Sequence, residues 1–138
     1  MRKLLVITAL LLFAGIAFGQ NKADIEKNKR IATLYHQLNA GDVDIILTED
    51  YIGGDEQRRR SWNREDHRNF LSNGLYKKDS ILNQVAEGDW VATRFVRTMD
   101  WNGKMVSVEA MQFKRFEKGK ISEIWEYADP SQIESEEE

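Results

Sequence analysis

Residues Ile81 to Pro130 read ILNQVAEGDWVATRFVRTMDWNGKMVSVEAMQFKRFEKGKISEIWEYADP, and this segment predicts four antiparallel strands joined by three short turns. Glycine adopts a positive φ without a clash at Cβ, and Asn-Gly between two β-rich runs is the strongest short-range signal for a two-residue hairpin. The turns fall at Gly88-Asp89, Asn102-Gly103 and Lys118-Gly119. The predicted strands are residues 80–87, 90–101, 104–116 and 120–129.

The segment before this meander predicts two helices. Apolar residues at helical spacing predict an amphipathic helix over residues 22–39, with Tyr35 on its apolar face. Gly41 is expected to end this helix as its C′ residue, because glycine adopts the left-handed conformation that closes a helix. Asp42 is then expected to cap a short helix over residues 43–47.

A third helix is predicted closer to the meander. Residues 48–52 look like a short strand, and the charged, aperiodic residues 53–61 predict an exposed loop. Asn63 is the expected N-cap of the third helix and Gly74 its end, with His67 in the exposed first turns. Helices followed by a long antiparallel sheet are typical of the α+β class, with the helices on one face of the sheet.

The first 19 residues have the pattern of a secretory signal peptide. Arg2 and Lys3 precede an apolar run from Leu4 to Phe18, and a small-x-small cleavage site lies before Gln20. The alternative is a membrane anchor, which needs about 20 apolar residues. We expect residues 1–19 to be cleaved, residues 20–130 to form one domain in the periplasm or outside the cell, and residues 131–138 to be an acidic disordered tail.

The composition excludes several classes of protein and site. The chain has 138 residues and no cysteine, so disulfides, thiolate nucleophiles and cysteine metal sites are ruled out. A formal net charge of −3 argues against general binding of nucleic acid. The two histidines, His36 and His67, lack the spacing of a metal pair. The sequence therefore predicts no metal, no cofactor and no nucleic-acid partner.

Several strings in this chain resemble the NTF2-like superfamily and, within it, the SnoaL-like (polyketide cyclase-like) domains. They are LYHQLNAGDVD, NREDHRNFL, AEGDWVATRFV, FKRFEKGKISEIW and WEYADP. The resemblance covers nearly all of the chain after residue 19. It implies an α+β cone, in which N-terminal helices pack on a strongly curved antiparallel sheet and a pocket lies between the concave face and the first and third helices. These motifs are structural, so they indicate the fold rather than an activity.

The enzymes among these relatives use a pocket aspartate as acid or base, and the resemblance places Asp129 at that position, four residues after Trp125. Histidines found after the first strand and on the last strands of many members are absent here, since Tyr51 is followed by Ile52-Gly53-Gly54 and Ile124 precedes Trp125.

Period-two alternation puts Trp125, Tyr127 and Asp129 on one face of the last strand. Asp129 is then a candidate general base, because desolvation raises the pKa of a carboxyl, and Tyr127 is its candidate hydrogen-bond donor. The alternative is that Asp129 only ends the strand. Arg94 and Glu109 form either an exposed cross-strand pair or a polar anchor for a ligand inside the cone.

Three hypotheses follow for function. The first is an extracytoplasmic domain that binds a small apolar molecule in the cone, through Trp125, Tyr35, Arg94 and Glu109. The second is a cyclase-type or isomerase-type enzyme with Asp129 as its base. The third is an interaction module that forms a homodimer through the convex face of the sheet, near Trp101. None of the three involves a membrane once residues 1–19 are removed.

Overall fold

The computed structural model describes residues 21–55, 59–128 and 131. In this part of the chain there are three α-helices, a 3-10 turn (Ala40–Asp42) and six strands. The helices are α1 (Lys22–Tyr35), α2 (Val43–Ile46) and α3 (Arg64–Ser72). The strands are β1 (Leu47–Asp55), β2 (Arg60–Asn63), β3 (Tyr76–Glu87), β4 (Trp90–Trp101), β5 (Lys104–Glu117) and β6 (Lys120–Ala128). They form one sheet in the order β2-β1-β6-β5-β4-β3.

The predicted meander from β3 to β6 is confirmed, and each of its neighbouring strands is antiparallel. At the turn between β4 and β5, Asn102 has a φ of 53° and Gly103 a φ of 82°. Both values are positive, as a type I′ hairpin turn requires. Lys118 and Gly119 repeat this geometry between β5 and β6, with φ of 49° and 78°.

The sheet is mixed, which corrects the expectation of a wholly antiparallel sheet. Strand β1 runs parallel to β6, with Gly53 opposite Ile124 and Gly54 opposite Trp125. Strand β2, helix α3 and strands β3 to β5 lie between these two strands in the chain, so no hairpin turn dictates an antiparallel direction between them.

The prediction of an exposed loop over residues 53–61 is wrong at both of its ends. β1 continues to Asp55 and pairs with β2 through Gly53 opposite Trp62. A Cβ on Gly53 would lie 2.0 Å from Trp62 Nε1, and one on Gly54 would lie 2.3 Å from Trp125 Cζ3. The two glycines therefore leave space for one tryptophan on each face of the strand, and they do not mark a turn.

The helices differ from the predictions mainly at their ends. α1 stops at Tyr35, and Gly41 lies in the 3-10 turn, where it does not act as the C′ residue of α1. α3 begins after Asn63, as predicted. The Asn63 side chain accepts from the backbone N–H of Asp66, whose carboxylate accepts in return from the Asn63 N–H, in a capping box.

The core lies between the first two helices and the inner face of the sheet. Its fully buried side chains include Val43, Leu47, Val91, Ile121 and Ile124. Burying each such side chain contributes roughly 1.5–3 kcal/mol to folding. None of the helices among the described residues is long and apolar enough to cross a bilayer. The predicted signal peptide, Asp129 and the predicted tail beyond residue 131 lie outside the described residues.

Candidate functional site

A cavity of about 290 Å³ lies between α1, α3, the β1–β2 hairpin and the inner face of β4 and β6. One part of its wall is aromatic and the other part is charged. The aromatic residues are Tyr35, Trp62, His67 and Phe70. The charged residues are Asp55, Arg60, Asp66, Arg97 and Glu126. This combination of apolar walls and a few polar groups is typical of small-molecule sites.

Arg97 forms the floor of this cavity and is held by two carboxylates. Its Nε and Nη2 donate to Asp79 Oδ1 and Oδ2 over 3.0 and 3.1 Å, and its Nη1 lies 3.2 and 3.1 Å from the two oxygens of Glu126. Burial disfavours the charge of Arg97, but the carboxylates of Glu126 and Asp79 outweigh this effect and raise its pKa. Arg97 is therefore a fixed cation.

The Arg97 contacts continue into the core through Asp79 and His36. His36 Nδ1 lies 2.8 Å from Asp79 Oδ2, and Lys114 Nζ donates to His36 Nε2 over 2.9 Å. Because Nε2 accepts from Lys114, the ring proton must lie on Nδ1, which donates to Asp79. Burial alone would raise the pKa of Asp79, but the bonds from His36 and Arg97 lower it below its ordinary value.

His36 and Lys114 have pKa values set mainly by burial. Burial lowers the pKa of His36 to about 4, although its hydrogen bond to Asp79 opposes the shift. Burial also lowers the pKa of Lys114 to about 7, despite the carboxylate of Glu126. The Lys114 ammonium lies 5.1 Å from the centre of the Tyr35 ring, which partly replaces its lost hydration.

His67 is buried, which corrects the prediction that it is exposed at the start of the third helix. Its side chain is on the inner face of α3, and its ring stacks on Tyr35 at 5.1 Å between centroids and 16° between planes. Burial lowers the pKa of His67 to about 4, so the imidazole is neutral at pH 7. Its Nε2 is buried and has no hydrogen-bond partner among residues 21–55, 59–128 and 131.

Two tyrosines beside the cavity stay protonated. Trp62 Nε1 donates to the hydroxyl of Tyr51 over 3.1 Å. Burial raises the pKa values of Tyr51 and Tyr35 above their ordinary range. Their hydroxyl groups can therefore donate hydrogen bonds at neutral pH but do not supply a phenolate base.

Of the ligand-binding residues predicted from the sequence, Tyr35 lies in the cavity wall. Trp125 and Tyr127 lie on the outer face of β6, whereas Glu126 lines the cavity. The expectation that Trp125 and Tyr127 line the cone pocket is therefore corrected. Period-two alternation divides a strand into two faces, but it does not say which face the helices cover. Asp129 is outside the described residues.

Arg94 and Glu109 also lie on the outer face, where they form the cross-strand pair that was one of the two interpretations. Arg94 Nε is 2.5 Å from Glu109 Oε1, and both side chains are nearly half exposed. Two open depressions mark this face. One is lined by Arg94, Glu109, Ala110, Met111 and Tyr127, and the other by Trp90, Phe113, Trp125 and Tyr127.

The residues that sequence reasoning missed are Arg97, Asp79, Glu126 and Lys114. Each is a charged residue at an inward position of a strand, where most of the other inward residues are apolar. On β5 the inward positions include Val108, Ala110, Gln112 and Lys114, and this alternation was the available signal. In the described part of the chain, no group of three or more histidine, aspartate or glutamate side chains could hold a metal ion.

A sequence model of the SnoaL-like polyketide cyclase family matches residues 28–136. The chain belongs to this family. Solved structures with the same fold include a candidate SnoaL-like polyketide cyclase from Jannaschia, which is 15% identical, with a TM-score of 0.69 over 85% of this chain and 96% of that one. No protein of curated function matches the chain by sequence.

Two other solved structures share the fold. IdmH from Streptomyces antibioticus, a candidate polyketide cyclase, is 19% identical, with a TM-score of 0.63 over 79% of this chain and 96% of that one. PrhC from Penicillium brasilianum is 17% identical, with a TM-score of 0.69 over 81% and 86%. At these identities the likeness establishes the NTF2-like, ketosteroid isomerase-like fold and not an activity.

Proposed function

We propose that this SnoaL-like domain binds a small, largely apolar organic molecule in the cavity above Arg97. The observation that carries the proposal is the cavity of about 290 Å³, walled by Tyr35, Trp62 and Phe70. A molecule with two fused rings fits a space of this size, and its flat faces can pack against the aromatic walls. The polar floor fixes its orientation.

Two features of the floor support binding of a ligand with one polar group. Arg97 and Glu126 are held in place by hydrogen bonds, so they need not reorganise when a ligand arrives. His67 Nε2 lacks a partner within the described part of the chain, and a buried polar atom without a partner costs about 1–3 kcal/mol. That atom is enclosed by protein, so a ligand recovers this energy when the ring of His67 turns toward the cavity.

Calorimetric titration of the purified domain with 2-naphthalenemethanol tests the proposal. Phe70→Trp adds bulk to the cavity wall, whereas Phe113→Trp makes the same change on the outer face, where Phe113 is exposed. We expect binding by the wild type and by Phe113→Trp, and at least tenfold weaker binding by Phe70→Trp. Absence of binding by the wild type, or equal affinity in Phe70→Trp, would refute the proposal.

Acid–base catalysis in the same cavity is the second candidate, and the match to the SnoaL-like polyketide cyclase family favours it. Asp129 remains the base predicted from the sequence. The test is exchange of an α-proton of 2-tetralone in D₂O, followed by NMR, in which the base removes the proton and the enolate takes deuterium from solvent. Catalysis predicts faster exchange than in buffer and its loss in Asp129→Asn, and equal rates in both proteins would exclude this role.

We propose in addition that two copies of the domain pair through the outer face of the sheet. Met111, Phe113 and Tyr127 are adjacent there and are each 38–40% exposed, which is unusual for large apolar side chains on a monomer. Light scattering at micromolar concentration is expected to give the mass of a dimer. Phe113→Glu should give a monomer, whereas Ile45→Glu, at an exposed position on α2, should not. A monomeric wild type would contradict the proposal.

A further inference from the structure

We propose that the cavity selects ligands by charge, taking a protonated amine on a flat apolar frame and rejecting a carboxylate on the same frame. This inference rests on the proposed binding function and names the chemical class of its ligand. The inference follows from the ion pairs that the charged residues of the cavity wall already form.

The cavity wall carries more negative than positive groups. Asp55, Asp66 and Glu126 contribute three carboxylates, and Arg60 and Arg97 contribute two guanidinium groups. Asp55 and Arg60 are opposite each other in the β1–β2 ladder, so their charges offset one another at the mouth of the cavity. Glu126 and Arg97 offset one another at the floor, but Arg97 is also held by the carboxylate of Asp79. The excess negative charge therefore lies with Asp66 and with the two carboxylates around Arg97.

Arg97 is a poor anchor for an anionic ligand, although it is the cation at the floor. Its Nε and Nη2 donate to Asp79, and its Nη1 donates to Glu126. A ligand carboxylate beside Arg97 would be the third carboxylate around one guanidinium, at a site that is largely shielded from water. Repulsion between like charges is strong in such an environment.

Glu126 can accept a further hydrogen bond. Its Oε2 accepts from Arg97 and from Gln112 Nε2, which lies 2.5 Å away. Its Oε1 accepts from Arg97 alone among the contacts of the described residues, and a carboxylate oxygen has two lone pairs. An ammonium N–H can occupy the second lone pair without displacing Arg97.

The aromatic walls also favour a cation. Ring faces attract positive charge, and Tyr35, Trp62 and Phe70 present three rings to the same space. Phe70 already has the Arg97 guanidinium 5.7 Å from its centre, and Tyr35 has the Lys114 ammonium at 5.1 Å. These two rings already have cations over them, so among the described residues the ring of Trp62 is the one left to attract the ligand ammonium.

The experiment is a calorimetric titration at pH 7 with three probes that share one frame: 2-naphthylmethylammonium, 2-naphthalenemethanol and 2-naphthoate. We expect the ammonium to bind at least tenfold more tightly than the carboxylate, with the alcohol between them. In Glu126→Gln the ammonium should lose most of this advantage, and the alcohol should be little affected. Glu117→Gln, at an exposed position at the end of β5, should keep the wild-type order.

The outcomes separate this inference from the function on which it rests. If the alcohol binds and the carboxylate binds as tightly as the ammonium, the cavity is a binding site but the charge selection is wrong. If the alcohol does not bind, the proposed function fails and the inference fails with it. Circular dichroism will show whether Glu126→Gln folds. If it does not fold, the order of affinities of the three probes in the wild type still tests the charge selection.

Discussion

His36 Nδ1 donates a 2.8 Å hydrogen bond to Asp79 Oδ2, and the two side chains are 1% and 2% exposed. His36 is the C-cap of α1 and Asp79 lies in β3, so this bond joins the end of the first helix to the sheet. Asp79 also holds Arg97, and Arg97 holds Glu126. The contact between helix and sheet and the floor of the cavity are therefore parts of one hydrogen-bonded chain.

Asp79→Asn is expected to destabilise the domain by about 3 kcal/mol or more, because loss of one member of a buried pair leaves the others uncompensated. The amide keeps the size of the side chain but removes a charge that faces both His36 and Arg97. Urea denaturation measures the free energy of unfolding. Glu109→Gln removes a carboxylate from the exposed pair with Arg94 and should change stability little. Equal losses in the two variants would contradict the role of the buried chain.

Acid is expected to destabilise the fold between about pH 6.5 and pH 4, the range set by the two histidines. The pKa of each is lowered from 6.5 to about 4 in the folded state, so the unfolded chain binds more protons there and stability falls as pH falls. Full titration of either histidine corresponds to on the order of 3 kcal/mol. Thermal melting at a series of pH values measures this slope.

His67→Phe provides the control for this pH dependence. It removes one of the two titrating groups and keeps an aromatic ring beside Tyr35. About half of the slope attributed to the histidines should disappear, and the slope from His36 should remain. An unchanged slope in this variant would mean that His67 is already charged or exposed in the folded protein.

Lys114→Met is expected to change how the stability of the fold depends on pH at neutral to alkaline pH. The pKa of Lys114 falls from 10.5 in the unfolded chain to about 7 in the fold, so the unfolded chain binds more protons between these values. The wild type should therefore gain stability as pH rises from 7 toward 10, by on the order of 4 kcal/mol in full. Methionine should abolish this gain while filling a similar volume. A wild type whose stability stays level from pH 7 to pH 10 would disprove the burial of a titrating lysine.

The fold could largely be predicted from local signals. The Asn102-Gly103 turn and the Asn63 N-cap are determined by backbone chemistry that acts within a few residues, and both were predicted correctly. The parallel pairing of β1 with β6 was missed because the two strands are far apart in the chain, with three strands of the meander between them. Nothing within β1 itself specifies that direction.

The site was less predictable than the fold because its residues are defined by long-range contacts. Alternation on β6 correctly separated Trp125 from Glu126, but the inner face is chosen by the helices that cover it. His67 was predicted to be exposed because it lies in the first turns of α3, but its ring stacks on Tyr35 and lies near Tyr51 and Phe70. Arg97, Asp79 and Glu126 come from three different strands, so no spacing along the chain links them.

Gly53→Ala and Gly54→Ala are each expected to destabilise the domain by about 1–3 kcal/mol through overpacking. The added methyl group would lie 2.0 Å from Trp62 Nε1 in the first variant and 2.3 Å from Trp125 Cζ3 in the second. Gly41→Ala is the matched control, since a Cβ there has no atom within 4 Å, and it should be neutral or slightly stabilising.

Urea denaturation of the variants in a double-mutant cycle then identifies which tryptophan each added methyl group meets. Gly53→Ala should cost less in a Trp62→Leu background, and Trp125→Leu should relieve Gly54→Ala but leave Gly53→Ala unchanged. If either tryptophan substitution relieved both alanine variants equally, the two glycines would not accommodate separate tryptophans on opposite faces of β1.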